Sequence, residues 1–179
     1  MGKVLVASDW LAGCAGCHMS LLDMDERLVG LLEVVQLWST PITDLKHPPK
    51  EGVTVGILEG AVSNTTNLEV AKMMRERCQI RVAIGDCAVF GGVPTMRNFG
   101  SMQEALCRAY CTSESTVDGK VPSSPELGKP IPVQAVNQVV KVDVNLPGCP
   151  PSADAIYHVL SELVAGRIPE LKGVNLRYD

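Results

Sequence analysis

The sequence predicts an α/β protein with a mostly parallel sheet of five strands. Short apolar segments rich in valine alternate along the chain with longer segments of helical periodicity. Turns that contain glycine or proline separate many of these segments. This alternation is typical of βαβ units, in which helices cover both faces of a parallel sheet.

The order of the elements predicts a flavodoxin-like three-layer sandwich. Segments with the length and composition of buried strands are 3–8, 34–38, 53–58, 81–85 and 139–146. Apolar residues at helical spacing predict helices over 19–32, 66–77, 101–110 and 152–165, the last with Ser152 as N-cap. The intervening segment 86–100 is rich in glycine and is expected to be irregular. In such sheets, ligands bind just beyond the carboxyl ends of the strands.

A single domain is expected over residues 1–179, because this length suits one hydrophobic core. Within it, 112–132 is polar and contains four prolines, so it is expected to form an exposed insertion loop.

Net charge and the length of the apolar segments argue against nucleic-acid binding, membrane insertion and export. The formal net charge of -4 disfavours nucleic acid, whose binding requires a basic surface. No apolar run approaches the roughly 20 residues that span a bilayer. The apolar start of the chain is too short for an export signal, so we expect a cytoplasmic protein without membrane contact.

The chain has seven cysteines, and four of them follow predicted strands. Cys14 and Cys17 follow the first strand, Cys87 follows the fourth, and Cys149 follows the fifth. Because the carboxyl ends of parallel strands meet at one sheet edge, these four thiols are expected to surround one metal centre. Four cysteine thiolates are the usual ligands of an iron–sulfur cluster, although a zinc site uses the same set.

Other sites could use some of the same residues. The segment 14–18 matches the attachment pattern of c-type haem, but that function leaves Cys87 and Cys149 unexplained. A thioredoxin-like thiol pair leaves them unexplained as well. A flavin at this sheet edge is suggested only by analogy of fold.

The remaining polar and sulfur-containing residues have simpler interpretations. Cys78, Cys107 and Cys111 are expected to pack as small apolar side chains. His18 is expected to lie in the first turn of a helix. Glu59 ends the third strand, where its carboxylate could cap a helix, face water or relay protons.

Together the motifs resemble the small subunit of a nickel–iron hydrogenase, most of all the cytoplasmic bidirectional NAD-reducing type. The matching segments cover 9–20, 58–62, 85–94 and 147–151. The resemblance implies that Cys14, Cys17, Cys87 and Cys149 bind a proximal [4Fe–4S] cluster. It also implies partner subunits: a large subunit with the Ni–Fe site, and a diaphorase module with iron–sulfur clusters, FMN and NAD. Hydrogen would be split on the large subunit, and this chain would relay electrons without catalysis of its own.

The ligand count predicts one cluster, because no second set of four cysteines remains. The alternative is the quinone-site cluster subunit of respiratory complex I, a family that uses two adjacent cysteines where Cys14 and Cys17 are two residues apart. We also expect the cluster edge to be the docking face for the large subunit, lined by apolar residues such as Trp10, Leu11 and Phe90.

Overall fold

The computed structural model describes residues 2–176, which form a five-stranded and a two-stranded sheet with helices around them. The strands are β1 (Val4–Trp10), β2 (Val35–Leu37), β3 (Val53–Glu59), β4 (Val62–Asn64), β5 (Cys78–Ile84), β6 (Pro130–Gln134) and β7 (Val144–Leu146).

Seven α-helices connect or flank these strands in the described part of the chain. They are α1 (Gly16–Leu22), α2 (Glu26–Val34), α3 (Thr65–Arg77), α4 (Gly85–Phe90), α5 (Met102–Tyr110), α6 (Val136–Val139) and α7 (Ala153–Val164), with 3₁₀ helices at Val93–Phe99 and Gly173–Asn175. The predicted N-cap is confirmed, since the Ser152 hydroxyl accepts a hydrogen bond from the Ala155 N–H. Among residues 2–176, no helix has both the length and the apolar composition needed to cross a bilayer.

The large sheet has the strand order β2-β1-β3-β5-β7, and every neighbouring pair is parallel. This is the order of flavodoxin-like folds, so the predicted fold class is confirmed. All five strands end at one edge of the sheet. The loops and first helical turns that follow β1, β5 and β7 carry the four cysteines that the sequence singled out.

Neighbouring residues on one strand pack into the cores on opposite faces of the sheet, because side chains alternate between the two faces along a strand. Ile57 belongs to the core beneath α1, α2 and α7, whereas Leu58 belongs to the core beneath α3, α4 and α6. Val82 and Ala83 on β5 divide in the same way. The sheet therefore has an apolar core on each face, which fixes its strand ends in place.

The predicted helix over 19–32 is two helices. Asp25 has a backbone φ of 51°, and the chain changes direction there between α1 and α2. The apolar spacing nevertheless continues across the break, because Met24 is 1% exposed and packs in the same core as Leu31. The periodicity therefore identified the buried side chains correctly and missed the turn between them.

Two other segments also differ from the prediction. The segment 86–100 is largely helical, in α4 and the 3₁₀ helix that follows it. Of the last predicted strand, 139–146, only β7 forms a strand. Residue 139 ends α6, and 140–143 connect α6 to β7 without strand structure. Residues 111–129 contain no helix or strand and are mostly exposed, whereas β6 begins at Pro130 and pairs antiparallel with β4. Prolines are tolerated in such a small edge pairing because it needs few backbone donors.

Candidate metal centre at the carboxyl edge of the sheet

The loop after β1 is fixed against the end of β3. The Leu11 N–H donates to the Glu59 carbonyl at 2.7 Å, and Ala12 and Ala61 exchange two backbone hydrogen bonds of 2.9 and 2.8 Å. A Cβ on Gly60 would lie 2.8 Å from the Ala12 carbonyl oxygen, and Gly60 has a φ of 87°, so glycine is required for this approach. The loop places Cys14 at the surface and Cys17, in the first turn of α1, in a buried position.

The other two cysteines lie on two segments that are hydrogen-bonded to each other, the first turn of α4 and the turn after β7. The Asp86 N–H donates to the Gly148 carbonyl at 2.9 Å, and the Gly148 N–H donates to the Asp86 carboxylate at 2.7 Å. This reciprocal pair ties the start of α4, which holds Cys87, to the turn after β7, which holds Cys149. Cys87 is half-buried and Cys149 is exposed.

The two halves of the site meet at Cys17. A Cβ on Gly85 would lie 2.3 Å from the Cys17 sulfur and 3.5 Å from the Gly148 carbonyl oxygen. Burial raises the pKa of the Cys17 thiol above its ordinary value, and the negative charges of Glu59, Cys14, Cys87 and Cys149 raise it further. Burial likewise raises the pKa of Cys87, with Cys149 as the next cause. The structure therefore brings Cys14, Cys17, Cys87 and Cys149 to one edge of the sheet.

Glu59 lies directly beneath the first turn of α1. Its side chain is 2% exposed, and its carboxylate accepts hydrogen bonds from the backbone N–H groups of Cys17 (3.2 Å) and His18 (2.9 Å). It also pairs with Nδ1 of His18. Burial raises the pKa of Glu59, but the hydrogen bonds from the side chain and backbone of His18 and from the backbone of Cys17 outweigh burial, and the net pKa is lowered. Of the three roles open to Glu59, facing water is excluded and capping the helix is observed.

The sequence matches a family profile through the whole of this site. The profile of the "NADH ubiquinone oxidoreductase, 20 Kd subunit" family matches residues 14–163, from the first of the four cysteines to the last turn of α7. The chain belongs to this family. The matched segment includes all four cysteines and Glu59.

Several curated relatives of this chain are components of hydrogenases. The chain is 44% identical to the NAD-reducing hydrogenase HoxS subunit delta of Cupriavidus necator, over 99% of this chain and 87% of that protein. It is 31% identical to the sulfhydrogenase 2 subunit delta of Pyrococcus furiosus, over 90% of this chain and 62% of that protein. The predicted resemblance to hydrogenase small subunits, and with it the assignment to oxidoreductase subunits, is confirmed.

The fold has a solved counterpart of nearly the same extent. A chain in the crystal structure of NAD⁺-reducing [NiFe]-hydrogenase in the H2-reduced state superposes with a TM-score of 0.94, at 38% identity and 99% coverage of both chains. A chain of the [NiFeSe]-hydrogenase of Dm. baculatum superposes with a TM-score of 0.56 at 20% identity, and this likeness concerns the fold alone.

Four cysteine thiolates are the usual donor set of a [4Fe–4S] cluster. In a [4Fe–4S] cube each thiolate binds a different iron atom, so its four cysteines are necessarily further apart than the ligands of one ion. The clustered thiols repel one another once ionised, and iron charge would relieve that repulsion. The residues present therefore fit a cluster.

The remaining sequence predictions have mixed outcomes. Cys78 is buried as predicted, whereas Cys107 and Cys111 are half-buried near the carboxyl end of α5, where their thiols are hydrogen-bonded to each other. His18 lies in the first turn of α1 as predicted, but its pairing with Glu59 was missed. The sequence did offer a signal for this pairing. His18 comes shortly after β1, and Glu59 ends β3, the strand that pairs with β1.

The tight approach at Gly85 gives a prediction. Gly85→Ala is expected to destabilise the chain by about 1–3 kcal/mol and to lower its metal content, because φ is 84° and the new Cβ would collide with the Cys17 sulfur. Gly30→Ala is the matched control, since Gly30 lies inside α2 with nothing within 4 Å of a Cβ. We expect Gly30→Ala to be stabilising by about 0.5–1 kcal/mol. Urea unfolding of both variants measures the contrast, and equal stabilities would contradict it.

Proposed function

We propose that this chain is the electron-transfer small subunit of a cytoplasmic NAD-reducing nickel–iron hydrogenase and that it holds one proximal [4Fe–4S] cluster. Cys14, Cys17, Cys87 and Cys149 would be the ligands. The observation that carries the proposal is the convergence of these four thiols, from three separate strand ends, at one sheet edge. When bound, such a cluster supplies one-electron transfer between the Ni–Fe site of the large subunit and a diaphorase module.

The chain's own residues would hold the ligands in place and control their surroundings. The Gly16 N–H donates to the Cys14 sulfur at 3.4 Å, and the Val93 N–H donates to Cys87, so two of the sulfurs already accept backbone hydrogen bonds. The reciprocal hydrogen bonds of Asp86 and Gly148 would keep Cys87 and Cys149 at a fixed separation. Glu59 is proposed to be a proton relay in addition, and unchanged hydrogen turnover in Glu59→Gln would count against that role.

The docking face for the large subunit would lie beside the ligands. Trp10 is 38% exposed and Phe90 is 59% exposed, as an interface requires, whereas Leu11 is half-buried and packs against the core beneath α3. Beyond Phe90, three large apolar side chains of the 3₁₀ helix are exposed as well: Val93, Met96 and Phe99. We name Phe90, Val93, Met96 and Phe99 the apolar platform. Exposed apolar patches of this kind are typical of protein interfaces.

The alternatives are less well supported. A thioredoxin-like pair would use Cys14 and Cys17 alone, and it leaves Cys87 and Cys149 at the same sheet edge unexplained. A complex I-type subunit shares the family, but the two relatives described above are hydrogenase subunits and cover most of this chain. An NAD-reducing complex must also work where NAD is available, which supports the cytoplasm.

Metal and sulfide analysis of the complex purified through this chain tests the proposal. We expect about four iron and four acid-labile sulfide per copy of this chain beyond those on its partners, nickel in the large subunit, and an electron paramagnetic resonance signal after reduction. Iron without co-purifying nickel would favour the complex I alternative. Zinc, or the absence of a cluster signal from this chain in an active preparation, would overturn the proposal.

A further inference from the structure

Glu59 is a buried carboxylate whose hydrogen bonds all lead to the segment around Cys17. Only 2% of the residue is exposed. Its Oε1 accepts from the Cys17 N–H, and its Oε2 accepts from the His18 N–H and pairs with the His18 ring. The carboxylate therefore has a fixed position next to one of the four clustered cysteines.

The His18 ring holds the carboxylate in that position. Its second nitrogen, Nε2, lies 3.0 Å from the hydroxyl oxygen of Ser8, which is itself buried in β1. The ring also packs edge-on against Trp10, with 5.5 Å between ring centroids. With both nitrogens engaged, the imidazole cannot turn away without breaking two contacts. Two backbone N–H groups and the imidazole therefore surround the carboxylate, and such donors favour its ionised form.

The clustered cysteines differ in whether nearby backbone N–H groups donate to their sulfur atoms. Cys14 accepts from the Gly16 N–H and Cys87 accepts from the Val93 N–H. At Cys17 the residue's own N–H and that of His18 donate to Glu59. Because the carboxylate accepts from the backbone N–H of Cys17 itself, its charge lies within reach of that residue's sulfur.

These observations have an electrostatic consequence. An N–H group directed at a cluster sulfur stabilises the added electron and raises the reduction potential. A buried carboxylate next to a ligand sulfur opposes the added electron, and the interior screens it only weakly. Glu59 lowers the reduction potential in two ways. It accepts hydrogen bonds from two backbone N–H groups that are then not available to cluster sulfur, and it adds a negative charge next to a ligand.

We propose that Glu59 is a positioning residue that lowers the reduction potential of the cluster on Cys14, Cys17, Cys87 and Cys149, and that His18 partly offsets its charge. This inference rests on the proposed function, since it needs the cluster to be there. It assigns the Glu59–His18 pair a role that is separate from proton transfer.

The test is a redox titration of the purified complex, followed by electron paramagnetic resonance at fixed pH. Glu59→Gln keeps the shape of the side chain and removes its charge, so the potential is expected to shift in the positive direction. His18→Ala removes a donor and leaves the charge uncompensated, so the potential is expected to shift in the negative direction. Glu59→Asp retains the charge and should stay closer to the wild-type potential than Glu59→Gln does.

The control is Glu69→Gln, which removes a carboxylate from an exposed position on α3 and should leave the potential unchanged. An unmoved or lowered potential in Glu59→Gln with full cluster content would overturn the inference alone. If Glu59→Gln does not assemble, a positive or absent shift in His18→Ala overturns it equally. Absence of a cluster signal from this chain in the wild type would instead remove the proposed function.

Discussion

Cys149→Ser is expected to lower the iron and sulfide bound by this chain at least about tenfold. Substituting a residue that only hydrogen-bonds to a metal ligand costs roughly 10–100-fold in metal affinity. Loss of a ligand itself should cost no less. Cys149 is also exposed, so a cluster with a weak ligand at this position would be open to solvent. Iron and acid-labile sulfide per chain, with the resonance signal after reduction, measure the effect.

Cys107→Ser is the matched control. Cys107 lies on α5, which follows a 3₁₀ helix and not a strand of the parallel sheet. We expect Cys107→Ser to retain full iron and sulfide. Cluster loss in Cys107→Ser, or full retention in Cys149→Ser, would show that the wrong four cysteines were chosen.

The convergence of the four cysteines at one sheet edge could be predicted from sequence because strand ends are a strong constraint. Parallel strands buried on both faces are short runs of valine, isoleucine and leucine, and such runs are visible without a structure. Once β1, β5 and β7 are placed in one parallel sheet, the residues just after them must lie at one edge. Cys78 is the first residue of β5 and follows no strand, so the same argument leaves it out of the set.

The surroundings of the ligands could not be predicted in the same way. The division between α1 and α2 depends on a single backbone conformation at Asp25, which leaves the apolar period unchanged. The pairing of Glu59 with His18 depends on the side-chain directions of two elements 41 residues apart. The strands β4 and β6 are too short and irregular for an alternating pattern, and β6 contains prolines that are typical of a loop.

Phe99→Asp is expected to prevent assembly with the large subunit or to weaken it by about 2 kcal/mol, which corresponds to about thirtyfold in affinity. Phe99 is 89% exposed and belongs to the apolar platform, so its substitution should change docking with little effect on folding. Recovery of the large subunit with a tagged form of this chain, followed by titration of the two subunits, measures the change.

Three of the four platform side chains lie on the 3₁₀ helix Val93–Phe99. They face outward because polar side chains of that helix bind the rest of the protein on its opposite side. Arg97 donates to the carbonyls of Ser63 (2.6 Å) and Ile131 (2.5 Å), and Asn98 exchanges two 2.8 Å hydrogen bonds with Val133. Since these contacts bind the helix to β4 and β6, its apolar side chains cannot turn inward, and a partner must cover them if they are to be buried. Val117→Asp is the matched control, because Val117 is 87% exposed on the loop between α5 and β6. Equal recovery of the large subunit with both variants would mean that docking occurs on another face, whereas loss with Phe99→Asp alone would place the partner beside Cys87.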